Sequence, residues 1–210
     1  MSDSPDGSRP EPQHGTRRRL VLMGPPGAGK GTQARVLADE LRVPTISTGD
    51  LFRANIAAGT ELGLKVKGIL DAGDYVPDSV TNSMLSERLA QPDCVGGFVL
   101  DGYPRTLAQV DELDAMLANH DAEIDAVLEL TVDRNELVSR LSKRAVGEGR
   151  SDDTPEVIRR RQEVYTEQTE PLLAVYAKRG LLVQVDGMGS VYEVTSRMLH
   201  ALGHDEVASA

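Results

Sequence analysis

From residue 19 onward, short apolar runs alternate with longer stretches in which apolar residues recur every three or four positions. The runs at 19–23, 45–47, 98–101, 126–132 and 181–186 have the length and composition of buried strands. Between and after them, residues 32–41, 106–119, 134–144, 155–178 and 191–202 carry helical periodicity. Strand and helix in alternation predict an α/β fold, a parallel five-stranded sheet covered by helices on both faces. Three more helical segments, 51–58, 61–72 and 78–90, fall between the second and third strands and are punctuated by Gly59, Gly73 and Pro77. They form either a small helical insertion or further helices on the sheet, and glycine at both ends favours a moving insertion.

The ends of the chain do not share this pattern. Residues 1–18 mix Ser, Pro, Asp, Gly and Arg without an apolar run, so a disordered N-terminal extension is expected there. They also lack the hydrophobic stretch of a secretory signal, and no segment approaches transmembrane length. One compact domain over 19–203 and a short tail over 204–210 account for the rest. With 40% hydrophobic residues in 210 the core is large enough, and with no Trp and two Phe it must be built from aliphatic side chains.

Charge and cysteine content narrow the chemistry. A net charge of −10 argues against a general affinity for nucleic acid or anionic membranes, so any anion site has to be local. The lone Cys94 makes neither an internal disulfide nor a multi-cysteine zinc site, and a reducing cytoplasm fits. His14, His120, His200 and His204 lie in tails or at helix ends and read as exposed surface. No exposed heptad series asks for a partner, so a monomer is expected.

The most informative motif is Gly24-Pro25-Pro26-Gly27-Ala28-Gly29-Lys30-Gly31-Thr32, set directly after the first apolar run. Small residues let successive backbone N–H groups curl round an anion, the following helix points its positive end at that anion, and Lys30 adds a mobile cation. A nucleoside triphosphate is the expected ligand, which makes the fold P-loop NTPase type. The Ser or Thr usual after the lysine is Gly31, with Thr32 one place later. That departure weakens direct magnesium ligation by a hydroxyl and shifts attention to carboxylates.

Asp101 is the main candidate. It ends the apolar run 98–101 before Gly102, and it is either a turn residue or, beside a P-loop, a carboxylate that reaches magnesium through water. Beyond it, Arg105 follows Pro104 and is placed for a bidentate phosphate contact, or else is a helix-start arginine facing solvent. Thr48 and Arg53 fall on the opening turns of a helix, as an N-cap with a surface arginine or as part of a site. Arg161 shares a side with Ile158, Tyr165 and Leu172, a heptad-spaced apolar stripe, and a guanidinium there calls for an anionic partner or snorkels to the edge. Arg140 and Arg144, four apart, share a helix face that is either solvated or a phosphate clamp.

Taken together, residues 24–33, 47–53, 101–105 and 150–153 followed by Arg161 resemble the adenylate kinases, and the resemblance runs from about residue 19 to 203. Glycine after the P-loop lysine belongs to that family's pattern. The resemblance implies reversible transfer of the γ-phosphoryl group of Mg-ATP to AMP, giving two ADP, with ATP, AMP and ADP as the small-molecule partners, magnesium as cofactor and no zinc. It implies a helical AMP-binding subdomain over about 48–77 and a short lid loop over about 144–154, because only five residues separate Arg144 from Arg150.

Site residues follow by the same resemblance. ATP is expected against Gly27, Ala28, Gly29, Lys30, Gly31 and Thr32, with Arg140, Arg144 and Gly189. AMP is expected against Thr48, Arg53, Asp74, Val76, Gly102, Arg105, Gln109, Arg150 and Arg161. Lys30, Arg105, Arg140, Arg150 and Arg161 would act on the moving phosphoryl group, and Asp152 and Asp153 would latch the lid and orient its arginines. With Thr154 and Pro155 after it, Asp153 also suits a helix cap. A UMP/CMP-type kinase is the near alternative, against which Thr48 and Gln109 favour AMP; a nucleotide-dependent switch without transferase activity is the remote one, disfavoured by the excess of arginines.

Overall fold

In the computed structural model, residues 18–133, 136–137, 140–141 and 154–204 are described. Five parallel strands, β1 (Arg19–Met23), β2 (Thr45–Ser47), β3 (Phe98–Asp101), β4 (Ala126–Thr131) and β5 (Leu182–Asp186), are ordered β2-β3-β1-β4-β5. The central strand β1 pairs Leu20 with Val99 and with Ala126, so its backbone groups are satisfied on both edges. Three strands have the bounds the sequence predicts, and the other two differ by one residue at one end.

Alternation along β1 splits the core between the two faces of the sheet. Leu20 and Leu22 pack with Leu128, Leu130 and Val185 under helix α1 (Lys30–Leu41) and the C-terminal helix (Val191–Ala201). Val21 and Met23 pack on the other face with Ile46, Leu100 and Val127 under α4 (Asp78–Leu89), α5 (Leu107–Ala118) and the helix Pro171–Lys178.

Between β2 and α4, helices α2 (Thr48–Ala57) and α3 (Glu61–Asp71) bury Phe52, Val66 and Val76 in a third, separate cluster. Most of these helices begin at a hydroxyl: Ser47, Thr60 and Thr106 each accept a backbone N–H from the first turn of the helix they precede.

The predicted helix 155–178 is instead three pieces: α6 (Pro155–Val164), a π-helical turn (Tyr165–Thr169) and α7 (Pro171–Lys178). Pro171 lacks an N–H and its ring crowds the carbonyl four residues back, so the ladder widens and the Glu170 N–H reaches the Tyr165 carbonyl at 2.9 Å. The wide turn buries both Tyr165 and Thr169 toward the centre of the molecule. The C-terminal helix, α8 (Val191–Ala201), opens on a capping box between Ser190 and Glu193. Most of the predicted helix 134–144 lies outside the described residues, although Glu136, Leu137, Arg140 and Leu141 are helical.

Candidate active site

A cavity of about 370 Å³ opens at the carboxyl ends of the strands. One wall is the loop after β1. Its Gly24, Gly27 and Gly29 have φ of 136°, 89° and 94°, a conformation that glycine adopts without strain. Helix α1 then starts at Gly29, which offers no side-chain cap, so the first amides of α1 stay available to an anion. The Lys30 ammonium folds over the loop and donates to the Gly24 carbonyl at 2.7 Å and the Pro25 carbonyl at 3.0 Å.

Gly31 has a steric reason to lack a side chain. A Cβ there would lie 3.3 Å from Oδ2 of Asp101, so the usual hydroxyl residue would press on that carboxylate. Asp101 ends β3 on the cavity floor beside the loop. Arg140 braces the same wall from above. Its Nη1 donates to the Ala28 carbonyl at 3.3 Å, its Nη2 to the Gly187 carbonyl at 3.1 Å, and its Nε pairs with Glu136 at 2.8 Å. Gly187 and Gly189 follow β5 and stand outside the cavity wall, and Ala28 is buried beneath the loop.

Arg105 dominates the opposite wall. Its Nε donates to the Gly102 carbonyl at 2.7 Å, and the guanidinium lies over the Tyr75 ring, 4.7 Å from the centroid. Its backbone is fixed as well: the N–H donates to Oε1 of Gln109 at 2.7 Å, and the carbonyl accepts from Thr169 Oγ1 at 2.9 Å. The Thr169 proton is thereby committed, so at 2.8 Å the Tyr75 hydroxyl is the donor to Thr169. Arg53, also on the wall, pairs with Asp50 at 2.6 Å on the first turns of α2.

Thr48 and Gln109 lie just behind this wall, each 2% exposed. The Thr48 hydroxyl donates to the Gly102 carbonyl at 2.9 Å, so that carbonyl gathers Thr48 and Arg105 at one point. Asp74 lies on the wall and pairs with Arg160 of α6 at 2.8 Å; that hydrogen bond raises the arginine's already high pKa. Val76 is buried in the insertion's own cluster. Arg161 reaches the cavity from α6. Arg144, Arg150, Asp152 and Asp153 lie outside the described residues, and α6 is capped by Thr154, whose hydroxyl accepts from the Val157 N–H.

Sequence reasoning missed several contributors. Arg35 lines the cavity one turn beyond Gly31, on the same face of α1, a spacing the sequence does offer. Gln162 donates to the Pro26 carbonyl at 3.0 Å, tying α6 to the loop. Thr169 holds the Arg105 carbonyl, with Pro171 two places later as its only sequence signal, while Tyr75, between the expected AMP residues Asp74 and Val76, lies against the Arg105 guanidinium. His204 is half-buried rather than exposed, and its Nε2 meets no hydrogen-bond partner among the described residues. Burial pushes the Tyr103 and Tyr165 hydroxyls, both on the cavity wall, well above the usual tyrosine range, so both stay neutral. Among the described residues no group of three or more His, Cys, Asp or Glu side chains could hold a metal ion.

Comparison with known proteins bears on this geometry. A family model described as Adenylate kinase matches residues 22–181. The chain is 58% identical over 184 residues to an adenylate kinase of Nocardioides sp., covering 88% of this chain and 96% of that protein. It is 57% identical over 183 residues to one from Leifsonia xyli subsp. xyli, covering 87% and 92%. With one from Thermobifida fusca the identity is 55% over 184 residues, covering 88% and 97%.

Proposed function

Because the chain belongs to the adenylate kinase family, we propose that this cavity seats two nucleotides, ATP on the loop wall and AMP on the Arg105 wall. The enzyme is an ATP:AMP phosphotransferase that moves the γ-phosphoryl group of ATP to AMP, reversibly, giving two ADP. The observation that carries the assignment of sites is the composition of that cavity, in which the loop 24–32 faces Arg53 and Arg105 across a shared opening.

Within this reading, Gly27, Ala28, Gly29, Gly31 and Thr32 supply backbone donors and helix polarity to the ATP phosphates, while Gly189 lies beside the donor base. Arg140 and Arg144 hold the same nucleotide. Thr48, Asp74, Val76, Gly102 and Gln109 frame the acceptor base and Arg53 and Arg105 its phosphate. Arg150 and Arg161 bridge the two nucleotides, oriented by Asp152 and Asp153. The helices 48–77 and the loop 144–154 close over the substrates.

The attacking group is a phosphate oxygen of AMP, already anionic, so no general base is required. Its new bond to the γ-phosphorus forms as the bond to the β,γ-bridging oxygen breaks, and the electron pair leaves on ADP. The protein's work is to hold two mutually repelling polyanions in line and to stabilise the charge of the transferring group. Lys30 follows that group and Arg105 fixes the attacking phosphate.

The family uses Mg-ATP. A single half-buried carboxylate beside a phosphate loop, with oxygen donors only, suits an ion that keeps most of its waters and its phosphate ligands. Asp101 would hold magnesium through water, and the ion would supply charge neutralisation on the phosphates when bound.

We further read the enzyme as a cytoplasmic monomer. Of its large exposed apolar side chains, Leu64, Val95 and Leu107 lie on separate segments and Met188, Val191 and Tyr192 fall together around the start of α8, and no helix among the described residues is long and apolar enough to cross a membrane. Light scattering on a sizing column tests the first point. ADP formation measured across AMP, GMP, CMP and UMP, with Lys30→Ala as control, tests the acceptor. Calorimetry showing one nucleotide per chain when ATP and AMP are offered together would refute the two-seat cavity.

A further inference from the structure

Arg105 is aimed by the amide of Gln109, and an amide can be inserted either way round. Only the orientation with oxygen toward the Arg105 N–H makes that hydrogen bond. What selects it is Asp78, the first residue of α4 after Pro77, where the insertion rejoins the body of the protein. Oδ1 of Asp78 accepts from Nε2 of Gln109 at 2.6 Å, and its Oδ2 accepts from the Thr106 hydroxyl at 2.8 Å. A carboxylate has no proton to give, so Gln109 must turn its nitrogen to Asp78 and its oxygen to Arg105.

The second oxygen of Asp78 has a matching effect. By taking the Thr106 proton it leaves that hydroxyl's lone pairs to cap α5, where the Gln109 N–H is received at 3.2 Å. One carboxylate therefore sets both the backbone start of α5 and the side chain that grips Arg105. Gln109 is buried, so water does not replace the bonds it would lose.

We propose that Asp78 is a positioning residue for AMP, acting through Gln109 and Thr106 on Arg105. The proposal rests on the reading of Arg105 as the AMP phosphate ligand. It also couples the two walls of the acceptor seat, since Asp78 lies at the exit of the helical insertion while Arg105 follows β3.

Asp78→Ala and Asp78→Asn separate this role from plain stability. In the full chain, Asp78→Ala should raise KM for AMP by about tenfold, the effect of stranding one buried hydrogen-bonding group, with KM for ATP changed less than about twofold. Asp78→Asn should lie between that variant and the parent. Its oxygen can keep the Gln109 amide in place, and only the Thr106 proton loses its acceptor.

Because the Gln109 side chain carries one of the two routes from Asp78, Asp78→Ala should raise KM for AMP less in a Gln109→Ala background than in the parent, with the Thr106 route alone remaining. Equal shifts in KM for ATP and AMP, or effects of Asp78 and Gln109 that multiply, would overturn the proposal. If Asp78→Ala does not fold, the same split in Asp78→Asn decides. Should Arg105→Ala keep its KM for AMP, the site reading fails; should Arg105→Ala lose AMP while Asp78→Ala and Asp78→Asn keep it, only the role of Asp78 fails.

Discussion

Gly102→Ala tests the acceptor wall with the smallest change available, one methyl group. Gly102 has φ of 81°, and a Cβ there would lie 2.8 Å from Nη2 of Arg105 and 2.9 Å from Oγ1 of Thr48. Both separations are too short, so something has to move. Thr48 is 2% exposed and is locked at the start of α2, whereas the arginine end is flexible and yields. Left-handed backbone at alanine costs about 1–2 kcal/mol. Weakening the Thr48 bond to the Gly102 carbonyl adds about 1 kcal/mol. The sum, about 2–3 kcal/mol, corresponds to a Tm lower by roughly 5–10 °C for a chain of this size. A guanidinium displaced by about 1 Å from its phosphate lowers kcat/KM for AMP on the order of a hundredfold. Calorimetric melting and ADP formation with AMP varied at saturating ATP measure the two effects separately. A variant that melts early yet keeps kcat/KM for AMP within about threefold would refute the claim that the Gly102 carbonyl aims Arg105.

Other perturbations follow from the same geometry. Lys30→Ala should lower kcat by about a hundred- to a thousandfold, with Tm within a few degrees of the parent; near-normal turnover would remove Lys30 from the mechanism. Thr169→Val keeps the shape of the π-helical turn but strands the Arg105 carbonyl and the Tyr75 hydroxyl, so KM for AMP should rise by about fivefold or more while KM for ATP stays put. Burial pushes the Cys94 thiol from near 9.0 up to about 11, so alkylation at pH 8 should be slow in the folded protein and fast in urea. The folded state holds the proton more tightly than the unfolded state. The stability this contributes is therefore complete below pH 9 and is lost as pH rises toward 11, and comparing urea midpoints with Cys94→Ala isolates it from the buried tyrosines.

Much of this was legible in the sequence because the signals were local. The run 19–23, its glycine loop and the amphipathic helix after it predict β1, the anion cradle and α1 together, since backbone geometry there depends on neighbouring residues alone. Pairing order is different: nothing local says that β1 sits between β3 and β4, which follows only from long-range packing. The unbroken helix expected over 155–178 fails for a readable reason, since the Pro171 ring acts on the turn before it, which apolar periodicity does not register. The grip on Arg105 was out of reach, because Tyr75, Gln109 and Thr169 approach it from three separate parts of the chain. Their contacts depend on tertiary geometry that periodicity does not encode.

The contrast between Arg53 and Arg105 shows how an acidic protein can gather polyanions. The chain carries −10 overall, yet among the described residues six basic side chains line the cavity (Lys30, Arg35, Arg53, Arg105, Arg140 and Arg161) against three acidic ones (Asp50, Asp74 and Asp101). The positive field is therefore local, and it favours small phosphates at one opening. Within it the arginines are held by two different means. Arg53 is paired with Asp50 across an exposed gap, with side chains 39% and 56% accessible, an interaction of about 0–1 kcal/mol that an incoming phosphate displaces at little cost. Arg105 is held by a carbonyl and an aromatic face, neither of which neutralises it. In the proposed site its full charge is thus presented in a fixed direction, with no carboxylate to strip away when a phosphate binds. Fixed dipoles and packing, rather than counter-ions, are what allow a cation to stay both oriented and unspent, which is the condition for electrostatic preorganisation.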